Sequence, residues 1–595
     1  VSDFSARVDE FLAEYFRLHP VRATDIGEHA YDDRWPDLSE AGRAERLAFY
    51  DRWSAELAAT GDAGLGPDER IDRDLLLLEM AAHRFAEAIL QEDRWDPASW
   101  AYLLGDGIFP LLSRGSAPLS HRLRSVVARL EAMPTVVDAA IDSLTGLEGR
   151  PVPVLHAETA LEQLPGIGEL AAEAVALGEA GSDDPEVATL VPRLRDAAAT
   201  AASAVARFEA HLRDVLLPDA EGDGRLGREL FEEKLRHTLM DPGLPLERVL
   251  ERAEREAVLV RAEMLRLARR LWPTWIPDRP LPTAASAGSE EAADQRTVRL
   301  VLDAIGAEHP VPDDLLAFCR AELTRIEAFV RDRDIVPLPD EPLEIRWTPT
   351  FLRSFGGGML IPPGPLDRGM LTYFAITPPP ADWSPERVES FLREENDRQL
   401  RLTTIHEGVP GHYLQLAYSN RCPSLVRAIF SSGVFVEGWA VYVTQVMMDL
   451  DYGEGDEALL LVHWKFYLRA VVNAILDART HAFAMTETEA MRLMVEGGFQ
   501  EDAAARNKWK RARLTSTQLS TYFLGSLAWW DLELERRRRD AARAGVVDPA
   551  RSVPEPALVG GMGETPGFVY RDFFLAALSH GSPPTSLLRR ILFGD

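Results

Sequence analysis

The chain of 595 residues is 46% hydrophobic and 27% charged, an ordinary globular balance with ample material for a large core. Its 65 Lys and Arg against 95 Asp and Glu leave a formal charge of −30. That argues against nucleic acid and against an anionic membrane leaflet, since both recruit clustered cations.

No uninterrupted apolar run comes near the roughly 18 residues of a membrane span; Ala458–Val462 is typical of the longest. Cys319 and Cys422 form neither a disulfide framework nor a metal knuckle, which favours a reducing compartment. The chain opens on VSDFSARVDEFLAEYF, where Phe4, Val8, Phe11, Leu12 and Tyr15 make an amphipathic, acidic helix rather than an export signal. A cytoplasmic location is therefore expected, and the start at Val1 leaves a removed signal open.

Helical patterns follow at about 67–90, 121–147, 187–217, 244–272 and 312–334. Strand signals are few: Leu343–Trp347 and Thr372–Ile376 are short, aromatic or β-branched, and bounded by prolines. The stretch RSFGGGMLIPPGPLDRG between them reads as a flexible loop. Gly356–Gly358 lack a following lysine and helix, so they are no phosphate cradle. Arg536–Arg539 reads as the solvated end of a helix, where cations suit the dipole.

The chemistry concentrates in TTIHEGVPGHYLQLAY, which holds His406, Glu407 and His412. Two imidazoles with a carboxylate beside the first are the parts of a zinc hydrolase: ligands for the metal and a base for water. The histidines stand six apart, and at about 100° per residue a regular helix would aim them about 240° apart. Pro410 cannot donate to the carbonyl of His406, and Gly408 and Gly411 tolerate unusual backbone. A broken turn at 408–411 is therefore expected, bringing both rings to one ion. The third ligand candidate is Glu437, the lone carboxylate in the apolar run SSGVFVEGWAVYVTQ, where Gly433, Gly438 and Ala440 would permit close approach of the metal helix.

HEGVPGH followed by VEGWAVY resembles the DUF885 family of bacterial proteins, itself similar to helical zinc peptidases of the carboxypeptidase Taq, thimet oligopeptidase and angiotensin-converting enzyme groups. The likeness begins at HPVRATDIGEHAYDD (19–33) and continues through LRAVVNAILDARTH (468–481) to STYFLG (520–525). It implies a gluzincin-like site, with His406, His412 and Glu437 on one zinc per chain and Glu407 as general base. Where the family commonly has a PGQ-like turn, this chain has Ser516-Thr517-Gln518, and the tyrosine stands one residue late, at Tyr522. By analogy Tyr522 is the candidate oxyanion donor.

Asp477 and His481, four apart on one helical face, are candidates for orienting a metal histidine and for stabilising the tetrahedral intermediate. The strand holding Tyr373 is a candidate for pairing with substrate backbone, and Arg353 for clamping a C-terminal carboxylate. The expected fold is mostly α, with long helices enclosing a deep cleft and a small edge sheet near the metal helix. Residues 1–340 would form one wall, and 341–595 the metal-binding region. The expected function is zinc-dependent hydrolysis of short peptides or peptide-like substrates, as a carboxypeptidase or oligopeptidase. No nucleic acid or membrane partner is expected, and a homodimer is allowed. The alternatives are a zinc hydrolase of another amide or ester, such as N-acyl amino acids, or a non-catalytic helical binding protein.

Overall fold

Apolar residues at helical spacing become buried helix faces along nearly the whole chain. The first stripe is typical: Phe4, Phe11, Leu12 and Tyr15 are buried along the helix Asp3–Leu18. The structure, a computed structural model, describes residues 3–240, 243–349, 352–353 and 357–594. They fall into two units: Val1–Leu226 with Pro349–Ser354 and Pro362–Leu371, and Gly227–Thr348 with Phe355–Ile361 and Thr372–Asp595. The division thus comes well before position 340, because the helix Leu246–Trp275 packs along Glu457–Ala482 and joins the unit that holds His406, His412 and Glu437.

The first unit is built on Leu119–Ser143, Val154–Ala180 and Pro185–His211, packed together through Leu123, Leu130, Leu164, Leu194 and Phe208. Pro165 and Gly166 interrupt the pattern of the second of these helices, which nonetheless runs straight through them. Within this unit the motif at 19–33 holds the segment Pro362–Leu371. The amide of Leu366 donates to the Ile26 carbonyl at 2.9 Å. His29 bridges Asp32 at 2.9 Å and Asp367 at 2.8 Å, and Thr24 donates to Asp32 at 2.7 Å.

The second unit carries α1 (Leu246–Trp275), α2 (Asp397–Glu407), α3 (His412–Ser419), α4 (Gly433–Asp449), α5 (Glu457–Ala482), α6 (Asp502–Leu514) and α7 (Gln518–Arg543). Helix α5 is apolar and long enough to cross a membrane, yet 83% of its most apolar window is buried inside the protein, as in a core helix. Helices α4 and α7 meet backbone to backbone: a Cβ on Gly438 would lie 2.3 Å from the carbonyl carbon of Gly525. The expected task of Gly438 is thereby corrected, since it admits α7 rather than the metal helix; around Gly433 a Cβ would meet open space.

The sheet consists of β1 (Leu343–Trp347), β2 (Gly358–Ile361) and β3 (Thr372–Ile376), in the order β1-β3-β2. β1 runs parallel to β3 with Ile345 beside Phe374, and β2 antiparallel with Leu360 beside Phe374. β2 lies in the stretch read as a loop; four residues among glycines and prolines are too few to show alternation. Gly356 lies outside the described residues. The cationic run at 536–539 is no solvated end: α7 continues to Arg543, and Arg537 is buried against Glu533 at 2.5 Å and the Phe568 ring.

Candidate metal centre

Helix α2 ends at Glu407 and α3 begins at His412, so the turn between them is broken where proline and glycine stand. Gly411 donates to the Ile405 carbonyl at 3.1 Å, six residues back, in place of the regular four. A Cβ on Gly411 would stand 2.0 Å from the His406 carbonyl oxygen, and one on Gly408 2.6 Å from that of Thr404, so only glycine fits either place. The Val409–Pro410 peptide is cis. The Pro410 carbonyl accepts from the buried indole of Trp439 at 2.9 Å, which fastens the turn to α4.

The consequence is convergence. The rings of His406 and His412 stand 4.7 Å apart, close to perpendicular, and Nε2 of His412 lies 3.5 Å from Oε2 of Glu437. One donor atom from each of the three residues lies within 4.8 Å of the others. Two donors about 2.1 Å from one tetrahedral ion stand about 3.4 Å apart, so the spacing suits a shared cation. The protein alone leaves this cluster short of partners. Nδ1 of both rings is buried without a well-formed hydrogen bond, and the backbone of Ala440 offers His406 only a loose contact.

The charges are tuned by burial and by each other. Burial, then the neighbouring His412, push the pKa of His406 down to about 3, which keeps the ring neutral. Burial also works against a charged His412, but Glu437 outweighs it and raises its pKa. For Glu437 burial favours the neutral acid, and the hydrogen bond and charge of His412 overcome it, holding the carboxylate below its usual range. For Glu407 burial is the largest influence, and with the charge of Glu437 it outweighs the pull of His412 and pushes the pKa up to about 7. The backbone of Leu360 on β2 hydrogen-bonds its carboxylate. A Cβ on Gly358 would reach Thr403 of α2 at 2.9 Å and Phe374 at 3.0 Å, so β2 lies directly on α2.

Tyr522 stands on α7, where its oxygen accepts from Gln518 at 3.0 Å and Arg511 at 3.3 Å. Burial, then the charge of Glu437, raise its pKa to about 12. Asp477 is elsewhere. Instead of orienting a metal histidine it caps α7, accepting from the amides of Thr517 and Ser520 at 3.1 Å each and from the Ser520 hydroxyl at 2.7 Å. His481 is likewise displaced from chemistry: its Nε2 faces the carbonyls of Ala512 at 2.8 Å and Thr515 at 3.0 Å, and its ring stacks on Phe231 at 5.4 Å. Two carbonyl acceptors fix the proton on Nε2, so His481 ties down the end of α6.

The strand with Tyr373 has no open edge, since β3 is flanked by β1 and β2. Tyr373 also alternates with Phe374 and so points away from the face packed on α2, its ring covered by the Arg346 guanidinium at 4.2 Å. Arg353 is exposed and belongs to the first unit, whereas the three ligand candidates lie wholly in the second. Sequence reasoning missed Trp439, Gln518, Lys508 and Arg511. The basic segment NKWKRARL at 507–514 was the available signal for the last two.

The comparisons follow the motifs. The family model for bacterial proteins of unknown function, DUF885, matches residues 20–592. The chain belongs to the DUF885 family. A candidate lipoprotein of unknown function from Shewanella oneidensis shares 29% identity with this DUF885 chain, with a TM-score of 0.77 and complete coverage of both chains. A candidate lipoprotein from Colwellia psychrerythraea matches at 16% identity and a TM-score of 0.75, over 100% of this chain and 99% of the other. No curated protein matches the chain.

Proposed function

We propose that this DUF885 chain is a zinc-dependent metallopeptidase that hydrolyses short peptides, with a gluzincin-like site. The observation that carries the reading is the convergence of His406, His412 and Glu437 across a broken turn, with the carboxylate of Glu407 beside them. The donor set of two imidazoles and one carboxylate is that of a catalytic zinc site, and the unpaired buried ring nitrogens favour a ligand-holding role over a structural one. A zinc ion held there would supply a Lewis acid, which acidifies water and polarises a carbonyl.

Glu407 is the proton carrier. A carboxyl poised near neutrality accepts a proton from the attacking water and returns it to the leaving amine. Its hydrogen bond to the Leu360 backbone fixes its direction. Tyr522 stays protonated at neutral pH, and because Gln518 and Arg511 both donate to its oxygen, its own O–H is left to donate to a developing oxyanion. The outer edge of β2, rather than β3, is where an extended peptide would add to the sheet. The lipoprotein description of the Shewanella neighbour favours an exported setting over the cytoplasmic one.

The test is digestion of a defined mixture of short peptides by zinc-loaded protein, read by mass spectrometry, beside Glu407→Gln. Cleavage by the parent and a loss of at least about 10²-fold in the variant, with zinc retained, is the expected result. Equal cleavage by the two proteins would refute the mechanism.

A further inference from the structure

Lys508 is a half-buried cation that makes no ion pair or hydrogen bond among the described residues. It stands on α6 three residues before Arg511, so two positive charges share one helix face, a mildly unfavourable arrangement that an anion between them would relieve. The charges Lys508 feels are those of Arg511, Arg469, Glu437 and Glu394. Neither carboxylate is available to it. Glu394 is held by Lys465 at 2.8 Å, and Glu437 is committed to the metal cluster.

The cations are placed around the site. Arg511 donates to Gln518 at 2.8 Å and to the Tyr522 oxygen at 3.3 Å. Arg469 covers the Phe466 ring at 5.4 Å, and that ring meets the His406 ring in a T-shaped contact at 5.5 Å. Burial, then Arg511 and Arg469, push the Lys508 ammonium well below the ordinary lysine range, a penalty that an arriving anion removes. Arg469 is already answered, by Glu394 at 3.6 Å and by the charge of Glu395, whereas both carboxylates whose charge reaches Lys508 are engaged elsewhere.

We propose that Lys508 and Arg511, backed by Arg469, form an anion subsite that takes a carboxylate of the substrate. It is either the C-terminal carboxylate of a short peptide or an acidic side chain close to the scissile bond. The inference rests on the peptidase reading and narrows its substrate class.

The experiment is calorimetric binding to the full-length Glu407→Gln protein, with and without one equivalent of zinc. The probes are tetra-alanine acid, tetra-alanine amide, and an amidated tetrapeptide with aspartate at its third position. The acid, the aspartyl amide, or both should bind about tenfold or more tightly than the plain amide, and which one does identifies the source of the carboxylate. Lys508→Met should reduce that preference to within about twofold, with zinc content and circular dichroism unchanged, and Lys508→Arg should restore most of it. Should the methionine variant misfold, Lys508→Gln takes its place. Equal binding of all three peptides, or a preference that survives loss of the lysine, would overturn the subsite. A carboxylate preference in protein that takes up no zinc would sustain the subsite and refute the metal reading, so the two fail separately.

Discussion

Glu407 and Glu437 are both buried carboxylates, and their surroundings send them in opposite directions. Glu437 has His412 within 3.5 Å and stays ionised, as a ligand must; Glu407 is pushed up to about 7, as a base needs. His406, held neutral by burial, has a lone pair ready for a metal across the working pH range. In the proposed mechanism Tyr522 completes the set as a donor, and its loss would separate chemistry from metal binding. Tyr522→Phe should lower kcat by about 10²–10³ while zinc content stays at the parental level, a result read from steady-state kinetics beside metal analysis. An unchanged kcat would return Tyr522 to the hydrophobic core.

At the scale of elements, the cluster depends on how closely α4 can approach α7. Gly525 and Gly438 face each other so tightly that a Cβ on Gly525 would stand 2.2 Å from the Val434 carbonyl oxygen. Gly525→Ala should therefore cost about 1–3 kcal/mol in urea unfolding, whereas Gly433→Ala, which meets open space, should cost almost nothing. Similar losses in the two would contradict the packing argument. This pairing was not legible in the sequence, because a glycine on a helix does not say which neighbour it admits. The broken turn was legible, since two histidines six positions apart cannot converge on a regular helix and the means of breaking it stood between them. Long periodic helices and the strands at 343–347 and 372–376 were legible too. The roles of Asp477 and His481 were not: a carboxylate and an imidazole four apart on a helix serve a cap or a metal equally well, and only the start of α7 and the end of α6 decide.

At the scale of the whole molecule, the chain leaves the second unit after β2, contributes Pro362–Leu371 to the first, and returns as β3. His29 fastens that excursion inside the first unit by bridging Asp32 and Asp367. Those two hydrogen bonds, against burial, raise its pKa from 6.5 to about 10. A folded-state value above the unfolded one means the bridge contributes fully below about pH 6.5 and fades as pH climbs through about 10. Urea unfolding across that range should show the parent losing about 1–2 kcal/mol more than His29→Gln, less than the full shift implies because the His29 side chain is 30% exposed. Parallel stability curves for the two proteins would show that the bridge carries no such coupling.

The central claim is that His406, His412 and Glu437 hold one metal ion, and metal content tests it most directly. Protein stripped with chelator, reloaded with zinc and dialysed should retain about one ion per chain, and His412→Ala and Glu437→Ala should each lose it while remaining folded. Parental zinc in both variants would contradict the assignment.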